Sequence, residues 1–350
     1  MTTETSNRQA SRDWPTLLKD SSRTGGQGQR QAKSPERSVW QFRAGGSVRS
    51  APLLANGALY VASVGGIVHA IDIATGSGKW EFQAGGQIHS TPSFSGDAIL
   101  FGCDDGKVYA VNRDSGKKLW EAITGAEVWA SPVVWDGVVF FGSADANLYA
   151  VDAIGGHQKW VQALGGRIYS SAYAAEQRLY VGCGDGKVYC LDAGTGKPIW
   201  SSPTGNGIDS SPAVTGDLLL VGSEDFFLYA MNVATGETIW KFETGLGIAS
   251  SPAVLGDLTV VGSKDGFLYA LDTNSGRLRW KTAVGEVVTA PPVIGDGVVC
   301  IQAGATFALD TGTGDVVWRA HLGGGVQSVP VLSGDTIYLA SLGGEVYALR

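Results

Sequence analysis

Four histidines (His69, His89, His157, His321), four cysteines (Cys103, Cys183, Cys190, Cys300) and a recurring aspartate are the residues with which this chain would do metal, nucleophilic or acid–base chemistry. Their spacing argues against all three. No two cysteines stand in a Cys-x-x-Cys arrangement, so a zinc site is not indicated and free thiols in a reducing compartment are expected. Asp105, Asp145, Asp185, Asp225 and Asp265 recur every 40 residues. A calcium site needs several oxygens converging on one point, whereas one acid in each of five repeated units reads as hairpin chemistry. His69 takes the place held elsewhere by Tyr109, Tyr149 and Tyr189 and is expected to pack as an aromatic; His157 falls in a turn and His321 stands alone. No Ser-His-Asp grouping or phosphate-cradling loop is visible. The expectation is therefore no catalytic residue and no metal ligand.

The elements that position these residues are set by tryptophan. Trp40, Trp80, Trp120, Trp160, Trp200, Trp240, Trp280 and Trp318 are 40 residues apart six times and 38 apart once in the 350-residue chain. Each interval holds four short apolar runs separated by Gly-containing turns, as in Thr259–Ser263, Lys264-Asp265-Gly266 and Phe267–Asp272. Such a period predicts an all-β fold, an eight-bladed β-propeller of four-stranded antiparallel blades. Fifty-one glycines and only 17% charged residues fit many tight turns and few solvated helix faces. The last copy ends without its own Trp strand, and one spare Trp strand, Ser38 to Phe42, opens the series. Pairing these two closes the ring and leaves no free blade. The organisation expected is a polar, flexible segment over 1–37 and a single propeller domain over 38–350.

From third strand to outer strand the copies read Ala-x-Asp/Asn-x-x-Thr/Ser-Gly-x-x-x-Trp, as in Ala70, Asp72, Thr75, Gly76 and Trp80. With this motif the chain resembles the PQQ-like (pyrroloquinoline-quinone-type) propeller repeats over residues 38–350. Trp14-Pro15, Asp20 and Arg23-Thr24-Gly25 look like the lead-in that such chains carry. Two departures stand out: Gly155 replaces Thr/Ser in blade three, and blade seven is short by two residues. The resemblance implies that each repeated Trp locks its blade to the next, a structural role. Quinoprotein dehydrogenases of this fold hold PQQ and calcium at the propeller axis, inside loops inserted between strands, and alcohol-oxidising members set two adjacent cysteines against the quinone. This chain has no adjacent cysteines and no room for such loops, so the non-enzymatic branch is expected, with no cofactor. Assembly lipoproteins of the outer membrane share the repeats and are exported through a leader and an amino-terminal cysteine. Here Met1 to Ser11 is polar and no cysteine precedes Cys103, which points to the cytoplasm. An exported assembly-type propeller whose leader has been removed, or a PQQ or small-ligand binder, are the alternatives.

Charge narrows the partner. From residue 38 onward the net charge is −10, which disfavours a nucleic-acid backbone, and no apolar stretch is long enough to span a membrane. Another protein is the expected partner. Where equivalent repeat positions diverge, a reason beyond the scaffold is needed. Nine residues after each Trp (after the eighth, likewise) stand Arg49, His89, Trp129, Tyr169, Asp209, Ala249, Thr289 and Gln327, each preceded by Val or Ile. Phe226 occupies a turn position held by glycine in blades one, two, four, six and eight, which costs conformational energy. Arg49, His89, Trp129, Tyr169, Asp209, Phe226 and Gln327 form the candidate partner-binding face, placed where the chain enters the innermost strands. Trp135 is expected in a turn on the opposite face.

Overall fold

A computed structural model describes residues 38–285, 287–295, 297–321, 328–333 and 335–350; the segment 1–37 and Gln327 lie outside the described residues. Those described build eight separate four-stranded antiparallel sheets. In blade one the strands are β2 (Leu53–Ala55), β3 (Ala58–Ala62), β4 (Ile67–Asp72) and β5 (Gly78–Gln83), paired in that order. The opening strand β1 (Ser38–Arg43) instead completes blade eight, pairing antiparallel with Glu345–Leu349 in a register that sets Trp40 against Ala348. The ring is therefore closed as the repeat count predicted.

Burial explains the strand sequences. A third strand such as Phe267–Asp272 is buried on both faces because blades stack face to face, and it reads as a continuous apolar run rather than an alternating one. The outer strand, covered on one side only, alternates: Gly78–Gln83 exposes every second residue. First strands of neighbouring blades approach each other, so the three-residue strands line the axis.

Three devices fasten blade to blade. In the first, seven tryptophans donate the indole N–H to a carbonyl of the next blade: Trp40 to Ile73, Trp80 to Arg113, Trp120 to Ala153 and onward to Trp280 and Thr311, at 2.8–3.1 Å. The motif glycine of that next blade lies flat on the ring. A Cβ at Gly236, whose φ is +76°, would sit 2.6 Å from Trp200 Cε3, so glycine is needed for contact as well as for conformation. Asx-turn bonds hold the turn, with Asn232 Oδ1 accepting from Ala234 and Thr235 N–H. In blade three the His157 ring fills the space beside Gly155, 2.8 Å from where a Cβ would stand.

The second device is a relay of buried hydroxyls 40 residues apart. Ala51 N–H donates to Thr91 Oγ1, Thr91 to Ser131, Ser131 to Ser171, Ser171 to Ser211 and Ser211 to Ser251, at 2.8–3.2 Å. It stops at blade seven, where Pro291 has no hydroxyl to offer. The third involves the recurring aspartates. Each accepts from a tyrosine four residues on, Tyr109, Tyr149, Tyr189, Tyr229 and Tyr269 donating at 2.5–2.7 Å. Asp145, Asp225 and Asp265 also accept from Gly125, Gly205 and Gly245 in the preceding connection. Hairpin chemistry is thus what these acids do, with the tyrosine as an added partner.

Removing one buried hydroxyl from the relay leaves an amide unpaired, at a cost of about 1–3 kcal/mol. Ser171→Ala should lower the urea midpoint accordingly at constant m-value. Ser275→Ala, which loses only an exposed bond to Asp272, should change stability by less than about 0.5 kcal/mol. Equal effects of the two would show that the relay does not fasten the blades.

Candidate partner-binding face

The connection into each blade and the hairpin between its second and third strands lie at the same end and are tied by backbone bonds. Asp104 N–H donates to Gln87 O, Ala144 to Glu127, Gly184 to Arg167 and Glu224 to Gly207, at 2.9–3.1 Å. Beneath them Val48, Ile88, Val128, Ile168, Ile208, Ile248 and Val288 are completely buried. Ile168 rests so tightly on Gly142 that a Cβ there would be 2.2 Å from its Cγ2. The variable residues follow immediately and are carried on an immobilised backbone. They lie in the connection, four residues ahead of the innermost strand and not within it. In most copies a proline such as Pro52, Pro92 or Pro132 intervenes, and lacking an amide it cannot join the sheet.

Four of the expected residues are brought into one row across blades two to five. His89 and Trp129 have ring centroids 4.8 Å apart, and Trp129 and Tyr169 stack at 4.6 Å with 19° between their planes. Arg167 continues the row with its guanidinium 5.0 Å from the Tyr169 centroid and 3.9 Å from the Asp209 carboxylate. Polar atoms in the row are held from beside it: Trp129 Nε1–H donates to Asp104 Oδ1 at 2.8 Å and the Tyr169 hydroxyl to Glu127 Oε1 at 3.3 Å. His89 Nε2 lies 3.2 Å from Gln87 Oε1 and 3.5 Å from Asp104. Held between these two rings, Trp129 remains 39% exposed. Burial pushes the Asp209 carboxyl above the usual aspartate range; nearby Glu224 adds to this, while Arg167 and Lys264 oppose it. Lys264 is itself bonded to Glu224 at 2.6 Å.

Arg49 begins the same arc in blade one, exposed and close enough to influence His89. Phe226 sits apart from the row, 42% exposed with φ +79°. In the other blades a Cβ at its position would approach the connection into the next blade, as Gly186 does Asn206. For Phe226 that connection holds Leu246, itself 46% exposed. Trp135 ends the first strand of blade three and is half-buried against the Phe140 cluster, so it is a packing residue. His69 packs edge-on to Phe42 and bonds Ala44 O, as expected of an aromatic substitute.

Sequence reasoning missed Asp104, Glu127 and Arg167, which bond Trp129 and Tyr169 and extend the row to Asp209. Comparing the repeats two residues nearer the Trp, and at the hairpin before each aspartate, would have found them. All four cysteines are buried and none forms a disulfide; desolvation pushes Cys103 up to about 12 and Cys183 and Cys190 up to about 11, so these three are poor nucleophiles at neutral pH. Among the described residues no group of three His, Cys, Asp or Glu is placed to hold a metal, and no helix is long and apolar enough to cross a membrane.

Eight four-stranded blades, closed by the amino-terminal strand and fastened by the repeated tryptophans, define an eight-bladed propeller of PQQ-type repeats. The chain belongs to that family: the family model described as outer membrane protein assembly factor BamB matches residues 31–170 and 144–350. No curated protein sequence matches it significantly. Among solved structures it is similar to BamB from Moraxella catarrhalis, with 21% identity, a TM-score of 0.79, and coverage of 90% of this chain and 99% of that one. A europium-containing methanol dehydrogenase gives 14% identity and a TM-score of 0.83, covering 97% and 98%. Quinohemoprotein alcohol dehydrogenase from Comamonas testosteroni gives 15% and 0.81, covering 99% of this chain and 81% of the other. At these identities the likeness is one of fold.

The row makes a prediction through His89, whose pKa is held below the usual histidine value by burial, with Arg49 lowering it further and Asp104 opposing. A histidine depressed in the fold stabilises fully above its unfolded pKa of about 6.5, and that contribution is lost as pH falls through the folded value. An NMR titration of the His89 ring should give a midpoint below about 6.5. Arg49→Ala should raise that midpoint and Asp104→Asn should lower it; a shift of either in the opposite sense would refute the arrangement.

Proposed function

We propose that the chain is a non-catalytic platform that binds another protein through the arc from Arg49 to Asp209, with Phe226 and Leu246 as a second apolar contact. The observation carrying this reading is the stacked His89–Trp129–Tyr169–Arg167 row. Its side chains are already held by stacking and hydrogen bonds, so docking a partner on the exposed part of the row costs little further side-chain freedom. Tryptophan, tyrosine and arginine are the residues that anchor protein interfaces. Phe226 supports the reading independently, because a phenylalanine at positive φ costs about 1 kcal/mol that a glycine there would avoid. A reducing, cytoplasmic setting is proposed on four buried cysteines that form no disulfide.

The family description supports a second reading, in which the same face serves an exported factor for outer-membrane protein assembly. Cell fractionation of the native protein separates the two. A quinone enzyme is not proposed: neither adjacent cysteines nor loop insertions accompany these repeats.

Affinity purification from native lysate should recover a stoichiometric protein with the wild type and lose it with a Trp129→Ala, Phe226→Ala double variant of unchanged melting temperature. Retention by the variant would dismiss this face. Titration of PQQ with calcium should give neither heat nor thermal shift. Phe226→Gly alone should stabilise the fold by up to about 1 kcal/mol while weakening capture.

A further inference from the structure

We propose that the joint between blades seven and eight is a binding site for neutral hydroxyl groups, held by Gln302, Thr306 and Ser328. At the other joints the positions equivalent to Gln302 and Thr306 in the repeat are apolar. The place of Gln302 is taken by Gly102, Gly142, Gly182, Gly222 and Gly262, each pressed against a valine or isoleucine of the next blade. The place of Thr306 is taken by Val68, Val108, Leu148, Val188, Leu228, Leu268 and Val346, all completely buried. Only blade seven sets polar groups at both, and they are direct cross-strand partners, Gln302 opposite Thr306, so their side chains share a face.

That face is turned toward blade eight: the alternate residues Val298, Cys300 and Ala308 of the same two strands pack into a cluster with Val329, Val331 and Leu339. Gln302 is 2% exposed, and Thr306 and Ser328 are fully buried. Both amide atoms of Gln302 and the hydroxyls of Thr306 and Ser328 lack a hydrogen-bond partner. Ser328 adjoins by repeat correspondence, since a Cβ at Gly182 would lie 3.2 Å from the carbonyl of Ser210, its counterpart in blade five. The corresponding serines elsewhere bond within their own blade or to the next one, as Ser90 does to Gly102 and Ser250 to Ala290.

Orphaned buried amides and hydroxyls are rare in folded proteins, and groups clustered in this way are those that internal water satisfies. The set contains no charged side chain, so an ion would be left uncompensated; it offers both donors and acceptors, which fits a ligand O–H. Water and a small polyol offer that same chemistry. In blade seven the hairpin is shortened as well, with Gly304 alone linking the two strands.

A crystal structure of the full wild-type chain grown without polyols tests the water source. Ordered density within hydrogen-bond distance of at least two of Gln302, Thr306 and Ser328 is expected, weakened or lost in the volume-matched Thr306→Val variant. The polyol source is tested by thermal shift with glycerol: a rise in melting temperature larger in wild type than in Thr306→Val or Gln302→Ala supports it. The site is refuted if the three side chains are found paired with protein atoms, or unpaired without density, and glycerol shifts wild type and variants alike.

Discussion

The ring depends on one repeated contact, an indole lying beneath the glycine turn of the following blade. A four-stranded blade has two apolar faces and cannot bury either by itself, so its stability is a property of the joint. The tryptophan joins three links in that joint. Its ring covers apolar surface worth roughly 4–6 kcal/mol gross at about 25 cal/mol per Å². Its N–H satisfies a carbonyl of the next blade, and its flat face admits no Cβ, which fixes the turn residue as glycine. Because Trp40 contributes in the same way from the amino-terminal strand, the closing joint between blades eight and one is built like the others.

Once the joints are fixed, the axial end of the molecule becomes a set of short connections whose backbones have nowhere to move. Their buried Val or Ile holds them from below and the neighbouring hairpin holds them from the side. Side chains one residue further on are free to differ, and blades two to five use that freedom to assemble a row no single repeat contains. Rigid support with local variation is how a repetitive scaffold acquires a specific surface.

Blade seven shows the opposite use of variation. There the relay ends at Pro291, the aspartate–tyrosine bond is absent with Phe307 in the tyrosine place, and core positions turn polar. Differences at the surface row leave the packing untouched, whereas these lie inside a joint and change what it can hold.

The repeat carried the fold into plain view, because a period of 40 residues constrains every copy at once: blade number, strand order, ring closure and the structural part of each Trp and Gly follow from it. His69 acting as a packed aromatic was equally legible. What sequence could not supply were contacts between residues in different copies. That Trp129 stacks on Tyr169 and bonds Asp104, that Arg167 reaches Asp209, and that Gln302 and Thr306 face each other without partners all depend on distances set by blade stacking. Spacing along the chain fixes which element a residue occupies; only the angle and separation of neighbouring sheets decide which side chains from different elements meet.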